Sequence, residues 1–312
     1  MNDRRTRRWL IAAPHAAGPA DTRTVVLHAD EPLSQHDVPF HEAMSADLER
    51  AAEIEVWLPP YRGKALVPVL AWLAAERLAG PDAQVSWHLD RQQGPDSIAR
   101  MLSGRGWTQL EKKRNGRNVV LGSRPPAEAD IPPPEEFAAR IGDRDLTFEA
   151  DYGVFSPKRI DDGTALLAEV AMREPPVDSV ADIGVGYGPL AIAAVANGLA
   201  GSAVATDVDA VALWLAQRNA VRNGVTLSAV CSPDPLAVPM TELTLCNIPT
   251  HIDVKQTEAL MTALTRRASH GRLLVVVHRS IEHRYVRPLE KARLQVERHP
   301  GPNHTVLRAT AG

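Results

Sequence analysis

The sequence predicts an α/β fold in which a doubly wound, Rossmann-like sheet forms the C-terminal part and a smaller α/β domain precedes it. Short apolar segments typical of strands alternate along the chain with longer segments of helical periodicity. A glycine-rich turn, Gly184 to Gly188, follows a predicted strand and precedes a predicted helix. Strand, glycine turn and helix in this order are typical of a doubly wound sheet.

The chain is long enough for two domains, since it has 312 residues. The segment from Ser123 to Pro134 contains five prolines in twelve residues, and prolines favour extended backbone without hydrogen-bond donors. We therefore predict an N-terminal domain at 1–122, a linker at 123–135 and a C-terminal domain at 136–312.

Individual elements follow from hydrophobic periodicity and from glycine and proline positions. Before the linker we predict strands at 24–28, 54–58 and 84–89 and helices at 65–78 and 96–103. After it we predict strands at 179–182, 203–206, 243–246 and 273–277 and helices at 163–172, 189–196, 209–223 and 257–268.

Composition and charge indicate a soluble globular protein, with 44% hydrophobic and 23% charged residues. A net charge of −3 gives no global reason to bind nucleic acid, so such binding would depend on a local basic patch. Two clusters qualify, either as phosphate contacts or as ordinary solvated surface: Lys112, Lys113, Arg114 and Arg117, and Arg279, His283, Arg284, Arg287, Lys291 and Arg293.

Two cysteines, Cys231 and Cys246, are too few for a disulfide framework or a cysteine zinc site, so we expect no metal and a cytoplasmic location. The basic segment from Arg4 to Arg8 is interpreted as a tail, because the apolar run after it stops at Pro14. No apolar stretch reaches the ~18 residues that a membrane span needs, and we expect no membrane partner.

The glycine turn contains Gly184, Gly186 and Gly188, where small residues let a ligand approach the backbone and the helix N-terminus. Pro189 occupies the last position of the dinucleotide-binding pattern, which argues against NAD. By itself the turn fits a cofactor site or merely a tight turn.

An acidic residue at the end of the next predicted strand, Asp207, can accept both hydroxyl hydrogens of an adenosine ribose. The alternative is an N-cap for the following helix, a role that Asp209 could fill equally well. Asp234 is a candidate for the adenine edge, although Ser232 to Pro235 could be only a turn.

Together, Asp182-Ile-Gly-Val-Gly-Tyr-Gly188, Asp207 and Asn247-Ile-Pro-Thr250 resemble a class I S-adenosylmethionine-dependent methyltransferase of the Asn-Pro-Pro-aromatic type. With Asp151-Tyr-Gly-Val-Phe-Ser156 and Asp161-Asp-Gly-Thr164, the chain resembles the ribosomal RNA small-subunit guanine-N2 methyltransferases and their large-subunit relatives. In that family the N-terminal half is a degenerate methyltransferase fold, so the resemblance extends over nearly the whole chain.

The resemblance implies S-adenosylmethionine as cofactor and assigns roles to individual residues. Cofactor contacts are expected from Phe155, Thr164, Asp182, Gly184, Gly186, Gly188, Asp207, Val208, Asp234 and Asn247. Catalytic roles are expected for Asn247 and Pro249, and substrate contacts from Ile248, Thr250 and His251.

The chemistry explains why an asparagine follows the strand. The lone pair of an exocyclic base amine is tied into the ring, so an enzyme must hold both hydrogens and aim the lone pair at the methyl group. The Asn247 side-chain oxygen and the next backbone carbonyl can each accept one hydrogen. Ile248 and Thr250 replace the first proline and the aromatic of the motif, and His251 is either a substitute for the stacking ring or a loop histidine.

We therefore predict an N-methyltransferase for guanine in ribosomal RNA, with ribosomal RNA or the small ribosomal subunit as partner. Two alternatives stay open: N- or O-methylation of a small molecule or peptide, and a catalytically silent RNA-binding or assembly protein. The N-terminal domain is not expected to bind the cofactor, because no glycine turn there is followed by an acidic strand end.

Overall fold

The computed structural model describes residues 7–13, 21–249 and 253–312. Within these residues the chain forms two compact units. The first unit takes its residues from 1–29, 33–134 and 151–154, and the second from 30–32, 135–150 and 155–312. Among the described residues, no helix is both long and apolar enough to cross a membrane.

A seven-stranded sheet forms the first unit. Its strands are β1 (Arg8–Ile11), β2 (Thr22–Val26), β3 (Asp37–Pro39), β4 (Ala51–Trp57), β5 (Ala79–Asp90), β6 (Thr108–Asn115) and β7 (Asn118–Arg124), in the order β3-β2-β1-β4-β5-β7-β6. Its helices are α1 (Phe40–Ala43), α2 (Val67–Trp72) and α3 (Pro95–Ser103). A 3-10 turn, Lys64–Leu66, and a π-helical segment, Leu73–Leu78, flank α2, so the helix predicted at 65–78 is one helical stretch of three geometries.

The second unit contains a hairpin and a second seven-stranded sheet. The hairpin pairs β8 (Glu136–Ile141) with β9 (Arg144–Glu149). The sheet has the order β12-β11-β10-β13-β14-β16-β15, with β10 (Val177–Ile183), β11 (Ala200–Asp207), β12 (Leu227–Cys231), β13 (Leu243–Asn247), β14 (Arg272–His278), β15 (Leu294–Pro300) and β16 (His304–Ala311). Its helices are α4 (Asp162–Ala171), α5 (Pro189–Ala196), α6 (Ala210–Arg222), α7 (Val254–Ala268) and α8 (Glu282–Lys291).

The two sheets have the same strand order and the same strand directions. In each, five parallel strands are followed at one edge by an antiparallel hairpin. The inner strand of this hairpin runs antiparallel to the five, and the outer strand runs antiparallel to the inner one. This confirms the predicted fold, a Rossmann-like sheet preceded by a second α/β unit of related topology. Ser123 and Arg124, which sequence assigned to the linker, still belong to β7, and Ser123 pairs with Val85.

The central strands of the second sheet are apolar because both faces are covered. Every residue of β14 from Leu273 to Val277 is buried, as are the first four residues of β13. From β10 the chain moves through β11 to β12 at one edge of the sheet, and from β13 it moves to β14 in the opposite direction. Because such crossovers are right-handed, α5 and α6 lie on one face of the sheet and α7 lies on the other. On the α7 side, Ile183, Leu264 and Leu289 belong to one hydrophobic cluster.

Three asparagines, Asn197, Asn219 and Asn223, bond the hairpin to the helices beside the sheet, and Asn219 is fully buried. The Asn219 side chain donates to the carbonyls of Glu149 and Tyr187, both at 2.9 Å, and accepts from the Glu149 amide at 2.7 Å. The Glu149 carboxylate bonds to Arg218 and Arg222. Burial opposes its charge, but the two guanidinium groups outweigh burial and hold the pKa of Glu149 below its ordinary value.

Replacing Asn219→Ala should destabilise the second unit, because it leaves the Tyr187 carbonyl and the Glu149 amide without partners in the interior. Each unsatisfied buried group costs about 1–3 kcal/mol, so we expect a loss of about 2–6 kcal/mol and a lower melting temperature by calorimetry. The exposed Asn303→Ala is the matched control, whose side chain makes no hydrogen bond to the described residues. Equal melting temperatures for the two variants would contradict the role given to Asn219.

Candidate active site

Parallel register brings three sequence motifs to one edge of the second sheet. Ile183 of β10 pairs with Thr206 of β11, and Asp182 pairs with Leu245 of β13. The glycine turn after β10, Asp207 at the end of β11 and Asn247 at the end of β13 therefore lie at the carboxyl ends of adjacent strands. This is where ligands bind in open α/β sheets.

Two of the three glycines in the turn border open space. Gly184 and Gly186 have φ of 75° and 56°, and a Cβ added at either would meet no atom within 4 Å. Gly188 differs, because a Cβ there would lie 2.9 Å from Ile192 and 3.4 Å from Ala216. Gly188 thus allows α5 to pack against α6, while the other two glycines leave room for a ligand beside the backbone.

The carboxylate of Asp207 holds the glycine turn in place. One oxygen accepts from the Gly186 amide at 2.8 Å and the other from the Asp209 amide at 2.9 Å. Asp209, in turn, caps α6 by accepting from the amides of Val211 and Ala212. The structure therefore assigns the helix cap to Asp209. A carboxylate can accept about four hydrogen bonds, so the two contacts of Asp207 are compatible with ribose binding.

Asp182 is a buried carboxyl group beneath the turn, with 1% of its surface exposed. One oxygen accepts from the Ala191 amide in the first turn of α5 at 3.0 Å, and the other has no hydrogen-bond partner among the described residues. Burial raises the pKa of Asp182 to about 7. Asp182 thus satisfies one donor of the helix N-terminus and keeps one buried oxygen without a partner among the described residues.

Asn247 is oriented by side chains that precede and begin α4. Its amide nitrogen donates to Thr164 Oγ1 at 2.9 Å and to Asp161 Oδ2 at 3.4 Å. Asp161 also caps α4 through the amides of Gly163 and Thr164. A carboxylate only accepts, so the Asn247 nitrogen must face it, and Oδ1 is left as the outward acceptor. That oxygen accepts no hydrogen bond from the part of the chain that the structure describes.

The residues after Asn247 differ in what they can offer a substrate. The Ile248 side chain is 5% exposed and lies in the hydrophobic cluster on the α7 side, so a substrate contact by Ile248 is left to its backbone. Its amide donates to the Val276 carbonyl at 3.2 Å, so only the Ile248 carbonyl remains for an acceptor amine. Pro249 is exposed. Thr250 and His251, the other expected substrate contacts, lie outside the described residues.

The remaining expected cofactor contacts differ in exposure. The Phe155 ring is 72% exposed, which makes it available for a π contact. Val208 is half-buried, and its carbonyl accepts a contact from the Cys231 thiol at 3.7 Å. Asp234 is exposed, and its side chain accepts from the Leu236 amide at 2.9 Å. This local hydrogen bond is typical of a turn, the alternative to an adenine contact.

At the corresponding edge of the first sheet, the strand ends that the structure describes carry other side chains. Ile11 of β1 pairs with Val25 as Ile183 pairs with Thr206, so Val26 stands where Asp207 stands in the second sheet. By the same register Trp57 takes the place of Asn247, and its ring stacks on His88 at 4.2 Å. These substitutions support the expectation that the first unit binds no cofactor.

Comparison with protein families matches residues 145–299 to the methyltransferase small domain. The matched span contains the glycine turn, Asp207 and Asn247. Residues 145–299 of this chain thus form a methyltransferase small domain. Such methyltransferases use S-adenosylmethionine, and the expectations of a methyltransferase with this cofactor are confirmed at the level of the family.

Two relatives of known name are similar to this methyltransferase in sequence. The ribosomal RNA small subunit methyltransferase C of Shewanella amazonensis is 30% identical over 190 residues, 59% of this chain and 54% of the relative. The ribosomal protein L11 methyltransferase of Pelotomaculum thermopropionicum is 34% identical over 164 residues, 50% of this chain and 45% of the relative. The matches thus span about half of each relative's length.

Among solved structures, the 16S rRNA N2 G1207 methyltransferase of T. thermophilus, solved with AdoMet and guanosine, shares the fold. The match has a TM-score of 0.70 and 20% identity, and it covers 98% of this chain and 88% of that one. The likeness extends over both units.

The residues at the carboxyl edge fit the cofactor of the family. The open space at Gly184 and Gly186 accommodates a ligand against the backbone, and Asp207 offers carboxylate oxygens for ribose hydroxyls.

Gly186→Arg should lower the affinity for S-adenosylhomocysteine at least ~100-fold, since the new side chain fills the open space beside the turn. Gly198→Arg is a matched control, because Gly198 also has a positive φ, 76°, and open space at its Cβ, but lies after the C-terminus of α5. Calorimetry should show an affinity close to wild type for this control. Equal affinities for both variants would place the cofactor elsewhere.

Asp182→Asn should change how stability depends on pH. Because the folded pKa of about 7 lies above the unfolded value of 3.8, the carboxyl stabilises the fold below about pH 4, and this contribution is lost as pH rises through 7. Relative to the Asn variant, wild type should lose at most about 4 kcal/mol between pH 4 and 8. Denaturant unfolding at several pH values measures this difference, and a constant difference would contradict the raised pKa.

Proposed function

We propose that this methyltransferase transfers a methyl group from S-adenosylmethionine to the exocyclic N2 amine of guanine in ribosomal RNA. The observation that carries the proposal is the orientation of Asn247. Its nitrogen is held by Thr164 and Asp161, and its oxygen is directed away from them at the carboxyl edge of the sheet. An acceptor so placed suits an amine that must present its lone pair in a fixed direction.

The residues around the glycine turn bind the cofactor. Gly184 and Gly186 give access to the backbone, Asp207 binds the ribose hydroxyls, and Asp182 supports the first turn of α5 through the Ala191 amide. Bound S-adenosylmethionine supplies an electrophilic methyl group on a sulfonium. Asp207 carries a carboxylate, which also places negative potential where a cationic cofactor binds.

Asn247 and Ile248 hold the amine that receives the methyl group. The Asn247 oxygen and the Ile248 carbonyl each accept one hydrogen of the amine, which aligns the nitrogen lone pair with the methyl group. Both acceptors stabilise the positive charge that develops on the amine during transfer. Catalysis then depends on position and electrostatics, and no nucleophilic side chain is required. Thr164 and Asp161 are positioning residues, because they act through Asn247.

Support for guanine in ribosomal RNA comes from the relatives. The Shewanella amazonensis relative is a ribosomal RNA small subunit methyltransferase, and the T. thermophilus protein of the same fold was solved with guanosine. The motif aromatic is Thr250 in this chain, so the base stack must come from another ring. The exposed Phe155 is the candidate among the described residues of the second unit. Ribosomal RNA as substrate agrees with the predicted cytoplasmic location.

A second candidate acceptor is an amine of a ribosomal protein. Relatives named ribosomal protein L11 methyltransferase are 33% and 34% identical to this chain. A peptide amine needs the same pair of acceptors as a base amine but no ring to stack on it, which suits the loss of the motif aromatic.

Incubation with labelled S-adenosylmethionine separates these acceptors. Ribosomal subunits, naked ribosomal RNA and isolated ribosomal proteins are offered separately, and digested RNA is analysed for N2-methylguanosine by mass spectrometry. We expect the label in RNA at that nucleoside. Label confined to protein would favour the second candidate, and label in neither would leave the silent RNA-binding alternative.

Asn247→Ala should lower turnover on the labelled acceptor by on the order of 10²-fold, as loss of one well-placed polar group in a transition state commonly does. Affinity for S-adenosylhomocysteine and melting temperature should stay near wild type. Thr164→Val is the companion variant, since it removes the strongest hydrogen bond that orients Asn247 while keeping the side-chain shape, and a smaller loss of turnover is expected. Full activity of Asn247→Ala would refute the assigned role.

A further inference from the structure

A strongly basic surface lies along α8 in a chain of net charge −3. Residues 279–293 carry five Lys or Arg against two Glu, a local net charge of +3. We call the five cations Arg279, Arg284, Arg287, Lys291 and Arg293 the α8 basic surface. All five are exposed, and none forms an ion pair with a carboxylate among the described residues.

The two glutamates of this segment do not neutralise the five cations. Glu282 bonds to Arg298 of β15 at 3.0 Å and to Thr305 at 2.8 Å, and Glu290 bonds to Arg298 at 3.4 Å. Both carboxylates thus pair with Arg298, which is not one of the five cations. The α8 basic surface keeps its positive potential, which distinguishes it from the usual solvated helix face with alternating, paired charges.

A cleft of about 410 Å³ opens at this surface. Arg279, His283, Arg287 and Arg298 line it, together with the two glutamates. His283 and Arg287 lie one helical turn apart on the same side of α8. The Arg279 guanidinium is anchored by the carbonyls of Gly301 and Pro302, both at 3.4 Å. Arginine and histidine side chains that converge in an open cleft suit the oxygens of a phosphate.

The α8 basic surface begins at the same sheet edge as the candidate active site. Asn247 pairs with Val276 of β14, and Arg279 follows three residues later, about 10 Å along the chain at most. From there Arg284, Arg287 and Lys291 continue along α8 for a further ~10 Å. A polyanion whose reacting base lies at Asn247 can therefore reach this row of cations with its neighbouring residues.

We propose that the α8 basic surface binds backbone phosphates of the RNA strand on one side of the target guanosine. This inference rests on the proposed function and adds a second contact region outside the methyl-transfer site. Contacts to phosphates fix the position of a strand without reading its sequence, so the surface contributes affinity and register rather than base choice. Its contribution falls with salt concentration.

The test compares two triple variants with equal change in charge. The first replaces Arg284→Gln, Arg287→Gln and Lys291→Gln. The control replaces Arg140→Gln, Arg173→Gln and Arg266→Gln, which are exposed cations of the second unit in the β8–β9 hairpin and after or within the last turns of α4 and α7. Binding to naked small-subunit RNA and, separately, to assembled small subunits is measured by filter binding from 50 to 300 mM salt with S-adenosylhomocysteine present. Calorimetry of the same ligand checks folding.

The α8 variant should bind RNA about 10- to 100-fold more weakly at 0.1 M salt, with a salt slope smaller by about 2, while the control should bind like wild type. Affinity for S-adenosylhomocysteine should be the same in all three proteins. Equal RNA binding by the α8 variant and the control would overturn the inference, and so would a loss confined to assembled subunits, which would indicate a protein partner. The binding measurement needs no turnover, so failure to find N2-methylguanosine would reject the proposed function without deciding this point.

Discussion

Parallel strand register is the constraint on which the proposed site depends. Because β10, β11 and β13 are parallel neighbours, segments that are far apart in sequence end at one edge of the sheet. A shift of one residue would turn Asp207 or Asn247 to the opposite face, so the buried, apolar interior of these strands fixes the position of the polar residues that follow. The burial of β13 and β14 on both faces is thus a requirement for the site.

Charges of opposite sign are separated along this edge. Asp161 and Asp207 make the region of the glycine turn and α4 acidic, which suits a sulfonium cofactor. The α8 basic surface suits a polyanionic substrate. An acidic pocket would repel RNA if it stood alone, and the row of cations on α8 offsets that repulsion. A protein of net charge −3 can in this way favour a nucleic acid by a local arrangement of its cations.

The sequence predicted the central elements well, because buried parallel strands and capped helices leave strong local signals. The helix predicted at 189–196 has the observed bounds, and Asp209, one of the two carboxylates that the sequence offers as the cap of α6, is the cap. Contacts that depend on tertiary structure could not be read in this way. The link from Asn219 to Glu149 and Tyr187 joins residues up to 70 positions apart, and no local pattern encodes it.

Two positions in the motifs show where residue type alone misleads. Ile248 lies within a substrate motif, yet its side chain fills the core on the α7 side, because the chain leaves β13 still in strand-like pairing with Val276. Gly188 belongs to the glycine motif, yet it serves helix packing. In both cases the motif gives the correct backbone path, and only packing reveals which side chain or backbone atom faces the ligand.

The two sheets share one topology, but only the second has the glycine turn, Asp207 and Asn247 at its carboxyl edge, where the first has Val26 and Trp57 at the corresponding strand positions. The central claim is that this edge of the second sheet is the cofactor site. Titration calorimetry of the full chain with S-adenosylhomocysteine tests it most directly, through the binding stoichiometry. We expect one molecule bound per chain. Two molecules per chain, or no binding at all, would contradict the account.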